Sequence, residues 1–161
     1  MTLEPFLDYS DWCRARLKGF LLTCPDVFET RFETSAAYDS IAKLLAHSIG
    51  AEERWQRRLT DEPTISYYES KKKLTIETLF ADADQVRARS RAILGTCADD
   101  GLARRLTYKF GSFHGDMSWE ETFFHVLHHE TWHRGQVVSQ LQRLGLDPPD
   151  FDYCYFREKT P

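Results

Sequence analysis

The sequence predicts an all-α fold, an antiparallel four-helix bundle, on three observations. Apolar residues recur at helix spacing in four separate runs. Capping and stopping residues stand at the ends of those runs. No segment supports a ladder of strands, so the apolar stripes must be buried against one another. With 161 residues, the chain reads as one domain, 1–161, large enough to bury a core without staples.

The first run carries Phe6, Tyr9, Trp12, Cys13, Leu17, Phe20 and Leu21 at steps of three and four. Pro5 suits its first turn, where no amide hydrogen is needed, and Pro25 follows its end. The second run, with Thr34 or Ser35 as its cap, carries Ile41, Leu44, Leu45, Ala51, Trp55 and Leu59 and closes at Asp61-Glu62-Pro63. A polar connection containing Lys71, Lys72 and Lys73 reads as a solvated loop. From about Thr75 a third stripe runs through Ile76, Leu79, Phe80, Ala83, Val86, Ile93 and Leu94 to Gly95. The fourth begins at a capping box, Ser118 with Glu121, in which each side chain satisfies a backbone amide at the helix start. Its stripe is Trp119, Phe123, Val126, His129, His133, Val137, Leu141 and Leu144. Gly145 stops it and Pro148-Pro149 prevent resumption. Residues 105–110 alternate weakly and suggest a short extended piece. The aromatic tail from Phe151 to Phe156 is expected to pack back on the body.

Composition narrows the function classes. The formal net charge is −4 with no basic stripe, which argues against binding nucleic acid through its phosphates. No apolar run approaches the ~18 residues that would span a bilayer, so no membrane partner is expected. Cys13, Cys24, Cys97 and Cys154 are scattered, with no C-x-x-C pair. The opening residues lack a secretory pattern. Four free, mostly buried thiols in a reducing cytoplasm are the expectation.

The chemistry is concentrated in histidine. His129-Glu130-Thr131-Trp132-His133 places two imidazoles four residues apart on a helix, on one face and about 6 Å apart at Cβ. Two such nitrogens can each reach one divalent ion at about 2.0–2.1 Å. His47 stands three residues after Leu44 and four before Ala51, which puts a third imidazole on the inward face of the second helix. Three buried imidazoles leave several polar atoms to satisfy, and one metal satisfies them together. His125 lies one turn before His129, His128 points about 100° away, and His114 falls in an exposed glycine-flanked loop.

The string also fits the H-E-x-x-H pattern of zinc metallopeptidases. The extended version of that pattern needs a glycine three residues after the second histidine and a further histidine three residues later. Gln136 and Ser139 stand there instead. Glu130 reads as a surface charge beside Arg134 at i+4, or as a partner to a ligand. Gln136 and Gln140 follow the histidine face. Gly135, in mid-helix, suggests a close helix contact. Trp12, Trp55 and Trp132 are candidates to wall a pocket.

His129, three residues, then His133-Arg134-Gly135-Gln136, with Leu45-Ala46-His47 leading to Trp55 on the second helix, resembles the DinB/YfiT-like family over nearly the whole chain. The resemblance implies a four-helix bundle with one long crossover connection. It also implies a metal triad of His47, His129 and His133, zinc or nickel as cofactor, and a homodimer. Some relatives transfer low-molecular-weight thiols onto electrophiles, which would make the partner here a small-molecule substrate. Many family members have a histidine at the position of Trp132. Three imidazoles leave a divalent ion at least one open position, which suits catalysis better than a closed structural site. A metal-stabilised or metal-sensing bundle without catalysis is the alternative reading, and a peptidase the distant one.

Overall fold

A computed structural model describes residues 3–33, 38–64, 74–97 and 101–158. They are mostly helical: α1 (Glu4–Thr23), α2 (Ile41–Leu59), α3 (Ile76–Gly95), α4 (Trp119–Arg143) and a short α5 (Tyr153–Glu158). Two strands, β1 (Arg105–Phe110) and β2 (Phe113–Ser118), form an antiparallel hairpin between α3 and α4. The extended piece expected at 105–110 is thus one arm of a hairpin. His114, expected in a loop, lies in its other arm and is exposed, opposite Lys109.

The helix ends follow local chemistry. Thr75 and Ser118 each close a capping box at the starts of α3 and α4. Ser40, rather than Thr34 or Ser35, caps α2 by accepting from the Lys43 amide. Residues 34 and 35 lie outside the described residues, as do Lys71–Lys73. At the end of α4, Gly145 takes φ 77°. Its amide donates to the Gln142 carbonyl and that of Leu146 to Leu141, the paired bonds of a Schellman cap.

The core lies in two apolar groups. One joins Leu17 and Leu21, Ile41 to Ile49, Leu79 to Val86, and Val137 with Leu141. The other joins Leu3, Leu59, Ile93 and Phe123, and Leu106 and Trp119 pack against it. Both α2 and α3 run from the first group to the second, so they point the same way. Consecutive helices are therefore not all antiparallel. The long helices contact in a ring, α1 with α3, α3 with α2, α2 with α4 and α4 with α1. The tail packs on α1 as expected: Phe156 is buried, with its ring 5.9 Å from both Tyr9 and Trp12.

Between the two apolar groups lies a buried polar layer. Arg14 donates to Glu130 through Nε at 2.8 Å and to Glu52 through Nη2 at 2.6 Å. Arg87 Nη2 donates to Glu130 Oε2 at 2.8 Å, and Arg87 Nε lies 3.0 Å from Glu52 Oε1. Ser10 donates to Glu130 and Ser90 to Glu52, each at 2.7 Å. Two guanidiniums and two carboxylates make this central set neutral, with Asp11 3.5 Å from Arg87 Nε and Arg134 4.0 Å from Glu130 at its margin.

Candidate metal centre

The three histidines singled out by sequence come together. His47, on α2, and His129 and His133, on α4, each offer one ring nitrogen, and all three atoms lie within 4.8 Å of one another. α2 and α4 pack directly on each other, which is what brings the first imidazole to the other two. The helical repeat then does the rest: His129 Nε2 and His133 Nε2 are 3.2 Å apart. A tetrahedral ion with bonds of 2.0–2.1 Å holds its nitrogen ligands about 3.4 Å apart. The α4 pair already matches that spacing, and the His47 nitrogen lies within 4.8 Å of both. The donor set therefore fits a divalent ion.

The surroundings hold the rings in register. Gln136 Oε1 lies 2.7 Å from His133 Nδ1, where it accepts the ring N–H and leaves the lone pair on Nε2, facing His129. Tyr38 stacks on His47 with centroids 4.0 Å apart. Burial pushes His47 down to about 3 and His129 down to about 4, with His133 adding to both shifts. His133 is lowered as well, again by burial, although its bond to Gln136 works the other way. All three rings are thus neutral near pH 7, the state a metal ligand must have.

Glu130 corrects the reading of it as a surface charge. It is only 8 % exposed and is held by Arg14, Arg87 and Ser10. Burial alone would raise its pKa, but the two guanidiniums win and hold it below the ordinary carboxylate range. A carboxylate with both oxygens committed to arginine cannot act as the general base of a peptidase. The signal for its burial was in the sequence, since it stands four residues after Val126 on the apolar stripe. Position alone does not show that a charge has partners, and those partners are far away on α1 and α3. Arg134 is likewise buried, its guanidinium 5.5 Å from the Tyr9 ring and 5.8 Å from Phe151. Gly135 makes no close helix contact; a Cβ there would meet nothing within 4 Å.

Of the three tryptophans, only Trp55 borders the site. Its ring lies 5.1 Å from His125, whose own ring is 5.9 Å from His129, and 4.9 Å from Tyr108 on β1. Trp12 packs against Tyr9 and Phe156, and Trp132 is 64 % exposed. His128 stacks on the exposed Phe124, away from the triad. The four cysteines are free. Cys13 is buried, and burial raises its thiol pKa, the mark of an inert group. Cys154 is exposed instead. No helix among the described residues is long and apolar enough to cross a membrane.

Comparison with known proteins bears on this geometry. A DinB-like protein from Bacillus subtilis, YjoA, has the same fold, with a TM-score of 0.63 at 12% sequence identity, covering 91% of this chain and 97% of that one. No curated relative matches the chain. The model of the DinB family matches residues 2–161. With a fold, a histidine cluster and a family match that together span nearly every residue, the chain belongs to the DinB family.

Proposed function

We propose that this protein binds a divalent metal ion, zinc or nickel, through His47, His129 and His133, and works as a metal-dependent enzyme on a small molecule, of the thiol-transferase type. The observation that carries the reading is the convergence of three neutral ring nitrogens from two helices. The bundle reading belongs to the same proposal: four long helices with a crossover between α2 and α3 present a ligand pair on one helix and a single ligand on its neighbour.

An ion bound there supplies Lewis acidity at an open coordination position, lowering the pKa of a water or thiol held against it. The protein's part is to hold its donors. Gln136 orients His133, Tyr38 packs on His47, and Trp55 packs on His125 next to the triad. Catalysis is favoured over a purely structural metal because three ligands leave a position open. The neutral arginine–glutamate layer also ties the helices together without an ion. Metal analysis of the purified protein and of His47→Ala tests the site, with one bound ion per chain expected only in the former. Turnover of small thiols with an electrophile by the loaded protein tests the reaction. Full metal occupancy without turnover across thiols and electrophiles would overturn the catalytic part.

A further inference from the structure

Two arginines share the His47 face of α2, and among the described residues neither has a counter-charge. Arg54 and Arg58 follow His47 by seven and eleven residues on α2. At 100° per residue both lie within about 20° of the His47 direction, one above the other, about 10 and 16 Å along the helix from it. Both are half-buried. Arg58 lies over Trp55, 4.6 Å from the ring centroid, and Trp55 touches both His125 and Tyr108.

Among the described residues neither arginine has a carboxylate or hydrogen-bond partner. The acids on the same stretches are committed elsewhere, Glu52 and Glu130 to Arg14 and Arg87, and Glu53 to Arg57. Arg58 is held somewhat below its ordinary pKa by burial and by Arg54. Two neighbouring cations half withdrawn from water, one of them over the Trp55 ring, are costly unless something anionic completes them.

Resting on the metal reading above, we infer that this face of α2 takes an anionic small molecule: its reacting end meets the triad while a carboxylate or similar oxyanion is held by Arg54 and Arg58. The guanidinium fork suits a planar oxyanion, and the Trp55 face holds Arg58 in place for it. The pair acts as a specificity determinant, giving charged substrates an advantage over neutral ones of the same length.

Cobalt(II)-loaded protein tests this, with thiolate-to-cobalt absorption as the readout. The probes are ω-mercapto carboxylic acids of increasing chain length, each paired with the ω-mercapto alcohol of equal length. At low ionic strength at least one acid is expected to bind about fivefold to tenfold more tightly than its alcohol, the scale of two partly exposed charge pairs. High salt should erase that advantage in the wild-type protein. The double variant Arg54→Gln/Arg58→Gln should bind both probes equally, with cobalt content and alcohol affinity unchanged. Cobalt and thiol binding without any preference for acids, or a preference that survives the double substitution, overturns the inference and leaves the metal site standing. Absence of cobalt binding removes the metal reading, and cobalt bound without a thiolate band removes its thiol part; either takes this inference with it.

Discussion

Glu130→Gln is the substitution whose cost the structure sets most clearly. The carboxylate accepts from Ser10 Oγ, from Arg14 Nε and Nη2, and from Arg87 Nη2, at 2.7 to 3.0 Å. An amide of the same shape keeps one acceptor and turns the other oxygen into a donor, facing guanidinium donors. It also leaves Arg14 and Arg87 with Glu52 as their one buried carboxylate, Asp11 being a longer and half-exposed partner of Arg87. Breaking a buried pair by removing one partner costs about 3–5 kcal/mol, a large share of the ~5–15 kcal/mol by which domains are stable. Denaturant unfolding followed by far-ultraviolet circular dichroism, with a chelator present, reads that cost directly. The midpoint should fall markedly with an unchanged slope. Arg14→Gln alone should be similarly damaging. The double variant restores neutrality, so its loss should undershoot the sum of the singles by about 1–3 kcal/mol. A loss below about 1 kcal/mol for Glu130→Gln would mean that the carboxylate is solvated and the buried layer is not as described.

Other expectations follow from the same geometry. Because burial lowers the three clustered histidines, the unfolded chain binds more protons than the fold does below pH 6.5. Stability of the metal-free protein should be flat above that value and fall steadily as the pH drops towards about 3; a midpoint that rises on acidification would contradict the burial of these rings. Gln136→Ala should weaken metal binding by about 10–100-fold, the usual effect of losing an outer partner, whereas His133→Ala should cost more; competition with a chromophoric chelator compares the two. Gly115 pairs with Tyr108 across the hairpin, and a Cβ there would overlap the tyrosine ring. Gly115→Ala should push Tyr108 off Trp55 at a cost of about 1–3 kcal/mol, read by thermal unfolding and by ring chemical shifts. Unchanged Trp55 and Tyr108 shifts would refute it.

The long helices were legible because their stripes and caps are local. Thr75, Ser118 and Gly145 each act within a turn of themselves, and all three stand where the pattern predicts. The triad was legible for a related reason. His129 and His133 are fixed by helical repeat, and His47 needs only to be on the inward face of the helix that packs against them. What sequence could not show is pairing across distance. Glu130 meets Arg14 and Arg87 from 116 and 43 residues away, and nothing near Glu130 in the chain announces either partner. The hairpin was half visible, because β1 alternates while the β2 segment, with Gly115 in place of a side chain, does not. The relative direction of α2 and α3 was equally hidden, since stripe position says which face is buried and not which way the helix runs.

The buried polar layer has an asymmetry that reaches the triad. Both of its acids, Glu52 and Glu130, belong to α2 and α4, the two helices that supply ring nitrogens, and both of its bases belong to α1 and α3, which supply none. Arginines reaching in from the other two helices thus tie the nitrogen-bearing pair together at that level. The spacing of the three imidazoles is therefore adjustable from α1 and α3: a substitution that never touches a histidine can widen or narrow the gap between them.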